Sequence, residues 1–257
     1  MQVIIQKIMK RAITIDKDQR LSSVVKYFDK NGISRAPVIE KKRLVGMITE
    51  RDVIEKIGSP SGGLKASSYH VSSCMTHNPI SVIPTQDVSY AIDIFTKEHF
   101  SGLPVMNKEI HIITKTDILA HLDVDGVVAE VMKTKVFTLR KEDRVIHARK
   151  IFLEEDPPLI PIVGEEMCGI ITKRDVLFGL YKFRDLVDKH QESIVRNYTV
   201  EKIMSPQPVT TTPHTQLSEV KKILVQNDFN ALPVINYDGK ITGFVGKDEM
   251  MQKVMIT

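Results

Sequence analysis

One element occurs four times in this chain and dictates how the rest can fold. The stretch 44–54 reads Leu-Val-Gly-Met-Ile-Thr-Glu-Arg-Asp-Val-Ile, a strand that ends on Thr49 and turns straight into a helix, with Asp52 three residues on. The design returns at 110–119 with Thr114 and Asp117, and at 167–177 with Thr172 and Asp175. An altered fourth copy at 241–251 carries Gly246 and Glu249 in the two positions. Internal repetition of this kind marks supersecondary units that bury their apolar faces on one another.

The rest of the chain falls into register with this element. A short amphipathic turn ends on Met9, Met75, Met132 and Met204, and five or six residues later comes a hydroxyl residue on a short strand: Thr14, Ser81, Thr138 and Thr210. Next comes a helical stripe. Leu21, Val24, Val25 and Phe28 fall at i, i+3, i+4 and i+7, and Val88, Ala91, Ile92 and Phe95 repeat the spacing. In copies three and four the i+4 position is Arg149 or Lys221, so those helices are expected to bury a narrower face. A short apolar strand with a proline follows (Pro37, Pro104, Pro161, Pro233), and proline suits a strand's start or an edge. A polar turn then leads back into the strand–Thr–helix element. Each repeat is therefore β-α-β-β-α, and the fold class is α/β (α+β).

The connectors suggest the pairing. Asp123-Val124-Asp125-Gly126 is a tight polar link, whereas 58–70 is a Ser/Gly-rich loop and 181–198 is longer, charged and expected to be helical. Two modules of two repeats are expected, 1–124 (repeats 1–57 and 71–122) and 125–257 (repeats 128–180 and 200–257).

The order Met, hydroxyl residue, amphipathic helix, apolar-Pro-Val, then Gly-x-x-Thr-x-x-Asp resembles the CBS repeat family, in four copies covering nearly the whole chain. Two such repeats resemble a Bateman module. Four in one chain resemble the γ subunit of AMP-activated protein kinase and stand-alone microbial CBS proteins. The resemblance implies a regulatory protein that binds an adenosine ligand (AMP, ADP, ATP or S-adenosylmethionine) between repeats and changes module orientation to control a partner. It also implies that each site joins the Thr-x-x-Asp of one repeat to the first strand and the x-x-Pro segment of its partner repeat, with Arg35, Gly102 and Ala231 before the apolar-Pro pairs as candidate ligand residues. Arg35 resembles the basic position that reaches the phosphate.

Read as chemistry, a strand-to-helix turn offers backbone N–H groups and the positive end of a helix dipole to an anion. The hydroxyls of Thr49, Thr114 and Thr172 can add a hydrogen bond, and the carboxylates of Asp52, Asp117 and Asp175 are acceptors suited to the two hydroxyls of a ribose. Arg51 and Arg174, each preceding its aspartate, are candidate phosphate partners. Lys10, Arg11, Lys133 and Lys135 lie beside the first strands and read as solvated surface charge. The plain alternative is a capping box, in which Thr and the acid three residues on satisfy helix N–H groups; both roles can coexist. The Asp117 copy has His111 where the others have Gly46, Gly169 and Gly243, so its site is expected to be differently shaped. The Glu249 copy is expected to be the weakest, because Gly246 lacks the hydroxyl and the segment 156–161 carries extra prolines.

Composition excludes other classes. With 42% hydrophobic and 26% charged residues, the 257-residue chain reads as globular. No apolar run reaches the ~20 residues that span a bilayer. Its N-terminus lacks the order of a signal peptide, and Cys74 and Cys168 are too few for a disulfide framework, so a reducing, cytoplasmic setting is expected. No nucleophile-elbow, P-loop or His-rich metal pattern occurs, and the repeats consume the length, so no enzyme, cofactor or metal is expected. The basic residues are interspersed with 32 acids and there is no tryptophan, which argues against nucleic acid. The expected partners are an adenine nucleotide, a regulated protein of unknown identity and a second copy of the chain. A scaffold with degenerate pockets is the competing reading.

Overall fold

Every repeat opens on a buried apolar residue at the start of a 3-10 turn: Ile5, Val71, Val128 and Val200. The computed structural model describes residues 3–57, 69–188 and 198–254; the Ser/Gly-rich stretch 58–68 and the later part of the 181–198 connector lie outside them. Repeat one comprises β1 (Lys10–Arg11), β2 (Ile15–Asp16), α1 (Leu21–Asn31), β3 (Arg35–Glu40), β4 (Arg43–Thr49) and α2 (Glu50–Ile57). Repeat two has β5 (Thr76–His77), α3 (Val88–Glu98), β6 (Gly102–Met106), β7 (Ile110–Thr114) and α4 (Lys115–His121). Repeat three has α5 (Val145–Glu154), β8 (Ile160–Val163), β9 (Met167–Ile171) and α6 (Lys173–Asp188), whose C-terminal part bears out the expected helix in the connector. Repeat four has β10 (Ser205–Pro206), α7 (Leu217–Gln226), β11 (Ala231–Ile235), β12 (Ile241–Gly246) and α8 (Lys247–Met251). The mixed α/β class and the β-α-β-β-α order are those expected.

The two strands of each hairpin pair antiparallel, β3 with β4, β6 with β7, β8 with β9 and β11 with β12. The hydroxyl-bearing segment joins the first hairpin strand in parallel, as Ile15↔Val38, Val82↔Val105, Leu139↔Ile162 and Thr211↔Val234. The repeat prolines therefore occupy inner strands, not edges. They are tolerated because the neighbouring parallel strand begins only after the proline nitrogen. In repeat two Val82 N–H donates to Pro104 O at 3.0 Å and Met106 N–H to Val82 O at 2.8 Å, so the missing proline N–H would have faced a position with no acceptor strand.

The short strand that opens each repeat crosses to the far hairpin strand of another repeat. β1 pairs with β7, β5 with β4 and β10 with β9, and Lys133 bridges Phe244. Two compact units result, one of 13–78 and 137–207 and one of 1–12, 79–136 and 208–257. The first holds the hairpins and helices of repeats one and three, the second those of repeats two and four, and each has its own apolar core. They divide the chain differently from the grouping at residue 125, which follows sequence order.

The helical stripes bury as their spacing requires. Leu21, Val24, Val25 and Phe28 are buried on α1 and Val88, Ala91, Ile92 and Phe95 on α3, whereas α5 and α7 bury only three residues each. The charged i+4 residues of these narrower helices are half-buried and bonded to backbone carbonyls. Arg149 donates to Ile54 O at 3.1 Å and Glu55 O at 2.9 Å, and Lys221 donates to Leu122 O at 2.9 Å. Each places a cation on the carbonyls at or just past the end of α2 or α4, where unpaired C=O groups and the helix dipole favour positive charge.

Candidate functional site

The four strand-to-helix turns share one construction. Thr49 N–H and Oγ1 both donate to Asp52 Oδ2 at 2.7 Å. Thr114 does the same to Asp117 Oδ2 (2.9 and 2.7 Å) and Thr172 to Asp175 Oδ2 (2.8 and 2.7 Å). The capping box is thus real, and it engages one carboxylate oxygen of each aspartate. The other oxygen distinguishes the copies. Oδ1 of Asp52 and of Asp175 has no hydrogen-bond partner among the described residues, and both side chains are only half-buried. Asp117 is 1% exposed, and Lys10 Nζ stands 2.6 Å from its Oδ1. Burial pushes the Asp52 and Asp175 carboxyls above their usual range, against the lowering effect of the threonine hydrogen bonds.

The fourth copy reaches the same end by different atoms. Gly246 N–H donates to Glu249 Oε2 at 3.0 Å. A Cβ on Gly246 would lie 2.7 Å from Asn230 O, 2.9 Å from the Ala231 Cβ and 3.2 Å from Glu249 Oε2. The space a threonine side chain would need is closed first by Asn230 and Ala231 and then by an oxygen of the longer acid. Burial raises the Glu249 carboxyl, opposed by its backbone hydrogen bonds and by the charges of Lys133 and Lys115.

The glycines three residues before the turn, Gly46, Gly169 and Gly243, serve packing. A Cβ on Gly46 would sit 2.6 Å from Met75 Sδ and 2.8 Å from Thr76 O, and one on Gly243 2.5 Å from Lys133 O. The glycine therefore admits the crossing strand of another repeat. His111 stands opposite Arg11 in the β1–β7 ladder, its Nδ1 3.0 Å from Glu109 O.

The match to known proteins follows this geometry. The CBS domain description matches residues 5–59, 71–124, 128–182 and 200–256, close to the expected repeat boundaries. The chain belongs to the CBS domain family. Among its relatives, protein MJ1225 of Methanocaldococcus jannaschii is 24% identical over 95% of both chains. A 33.4 kDa protein encoded in the ribosomal RNA operon of Thermofilum pendens is 20% identical over 93% of this chain and 87% of its own. The crystal structure of MJ1225, described as that of a proposed archaeal homolog of g-AMPK, superposes with a TM-score of 0.87 at 23% identity, covering 97% of this chain and 99% of that one. A conserved protein of Pyrococcus horikoshii gives a TM-score of 0.63 at 20% identity over 97% and 99%.

Within the CBS repeats, the residues singled out from sequence are distributed as follows. Thr14, Ser81, Thr138 and Thr210 precede the parallel strand segments and so lie alongside the repeat prolines. In the ladders Arg35 is opposite Thr49, Gly102 opposite Thr114 and Ala231 opposite Gly246. In these ladders each repeat's hydroxyl residue and the residue before its apolar-Pro pair lie beside the turn of the same repeat, and not of the partner repeat as the resemblance implied, because the first hairpin strand pairs with its own hairpin partner and its own preceding segment. Arg35 donates to Ser34 Oγ at 2.6 Å, and its charge acts on Glu50.

Arg51 and Arg174 are instead turned onto the other repeat of their unit. Arg51 donates to Phe152 O at 2.7 Å, Leu153 O at 2.6 Å and Asp156 Oδ1 at 2.6 Å. Arg174 donates to Glu50 Oε1 at 3.0 Å and Ile33 O at 2.9 Å. Glu50 is 6% exposed, and burial raises its carboxyl despite the Arg174 hydrogen bond and charge. In the other unit Lys115 pairs with Asp248, Lys247 with Asp228 (2.8 Å) and Thr116 with Asp228 (3.0 Å). Arg51, Arg174, Glu50, Lys115, Thr116 and Asp248, all between the threonine or glycine and the acid, are thus ties between repeats, whereas Lys247 and Lys173 are held by an aspartate of their own repeat. The sequence singled out Arg51 and Arg174 but not the partners in the other repeat, which lie more than a hundred residues away. Asp156 and Asp228, with φ of 50°, hold these cations from the ends of α5 and α7.

No helix among the described residues is long and apolar enough to cross a membrane. A shallow depression of about 680 Å³ lined by Arg140, Glu165 and Met167 lies at the hairpin end of β9, opposite to Thr172.

Proposed function

We propose that the chain is a non-catalytic regulatory protein that binds an adenosine ligand of the AMP, ADP or ATP type through Asp52 and Asp175. The observation that carries this reading is the unpartnered Oδ1 on each of these aspartates, beside a threonine-capped helix start. A ribose diol can donate to that oxygen without disturbing the cap, and hydrogen bonds to a charged acceptor contribute roughly 1.5–3 kcal/mol each. Arg35, one strand from Thr49, is the basic residue at hand for a phosphate. Arg51 and Arg174 act as ties between repeats and not as phosphate ligands. The likeness over nearly the full chain to an archaeal protein proposed as a homolog of g-AMPK supports a regulatory role. Ligand binding biases the protein between conformations that a partner protein, or a second copy, distinguishes.

Titration calorimetry with AMP, ADP, ATP and S-adenosylmethionine tests this, since it gives identity and stoichiometry together. Micromolar binding of an adenine nucleotide, accompanied by a Tm that rises with ligand concentration, is the expected result. No heat and no Tm shift with any of the four would leave the scaffold reading standing.

A further inference from the structure

The residue that directly follows the recurrent methionine occupies one position in all four copies. Lys10 is opposite Ile112, Thr76 opposite Met47 and Ser205 opposite Ile170, while Lys133 and Phe244 exchange both backbone hydrogen bonds at 2.9 Å. Each facing residue stands two before the Thr or Gly of the turn, so the crossing residue enters every turn from the same side. Its chemistry divides cleanly between the units. In the unit of repeats two and four it is lysine, and in the unit of repeats one and three it is a small hydroxyl residue.

We propose that this residue is a selector that decides which acids accept a ligand: lysine closes Asp117 and Glu249, and threonine or serine leaves Asp52 and Asp175 open. The proposal rests on the ligand reading above and adds that the chain takes up two ligands, both in the unit of repeats one and three. At Asp117 the selector is seen in place. The Oδ1 that a ribose would need is shut off from solvent and already faces Lys10 Nζ at 2.6 Å. The lysine is 68% exposed while its partner is 1% exposed, so a screened cation reaches in to a desolvated carboxylate. At Glu249 the acid is 6% exposed, one oxygen is taken by Gly246 N–H, and Lys133 contributes opposite charge. Thr76 and Ser205 are too short to make such a contact, and no cation is paired with Asp52 or Asp175 among the described residues.

The test transplants the selector. Thr76→Lys is compared with Thr76→Met, which matches its length without charge, and Ser205→Lys with Ser205→Met, by calorimetry of AMP binding to the full chain. The wild type is expected to bind two equivalents and to keep two when Asp117→Asn is introduced. Thr76→Lys and Ser205→Lys should each drop the count to one, or weaken one site at least tenfold, while the methionine variants retain two. Loss of a site in Asp117→Asn, unchanged binding in both lysine variants, tighter binding in either, or equal loss in the methionine variants would each refute the selector while leaving the ligand reading intact. A wild type that binds no nucleotide would refute the ligand reading and the selector with it.

Discussion

Replacing Asp52 and Asp175 together by asparagine separates the helix cap from the proposed ligand contact. Each aspartate accepts two short hydrogen bonds on Oδ2, from the threonine N–H and Oγ1, and has no partner on Oδ1 among the described residues. An asparagine still has one oxygen, and the cap will claim it, since its alternative is two unsatisfied donors. The amide NH2 then points where the diol would donate, donor against donor. The cap loses only its charge assistance, a fraction of the roughly 1 kcal/mol that an N-cap contributes. That corresponds to a Tm decrease of at most about 2–4 °C. The ligand loses at least one charge-assisted hydrogen bond per site, roughly 1.5–3 kcal/mol, or about tenfold to over a hundredfold in Kd. Calorimetric titration with AMP alongside differential scanning calorimetry reads both quantities on one sample. Wild-type affinity at both sites in the double variant would show that the carboxylates do no more than cap their helices. A collapse in Tm far beyond a few degrees would show that the charge is structural.

Three further outcomes are expected. Because burial raises the Asp52 and Asp175 carboxyls above their ordinary 3.8, the folded state holds their protons more tightly than the unfolded one. Their contribution to stability is therefore complete below the unfolded value and is lost as pH rises through the folded value, so Asp52→Asn should compare more favourably with wild type at pH 7 than at pH 3.5 in thermal melts. Arg149→Ala removes the cation from the carbonyls of Ile54 and Glu55 and should cost about 1–2 kcal/mol in urea unfolding, with Arg149→Lys recovering part of it. Gly246→Thr should cost about 1–3 kcal/mol through the contacts at 2.7 and 2.9 Å, and adding Glu249→Asp should return at least about 0.5 kcal/mol of it, seen as favourable coupling in a double-mutant cycle.

The local grammar of this protein is written in its sequence. The period-3.6 stripes, the turn residues and the fourfold Thr-x-x-Asp specify four β-α-β-β-α repeats, because helix and strand periodicities and capping chemistry act over a few residues at a time. The capping role of the aspartate was legible too, and it engages one of the two carboxylate oxygens. What the sequence could not convey is who faces whom. Arg51 and Arg174 look like phosphate ligands by position, and only the packing of repeat one on repeat three shows them bonded to Phe152, Asp156 and Glu50. Arg149 and Lys221 look like gaps in an apolar stripe until the ends of α2 and α4 are brought against them. Lys10 reads as a surface charge, and 107 residues separate it from the acid whose second oxygen it takes, a distance closed only when β1 crosses to β7. The physical reason is common to all three: a long cation binds whatever carbonyl or carboxylate the tertiary fold presents, and its own sequence neighbourhood carries no trace of that partner.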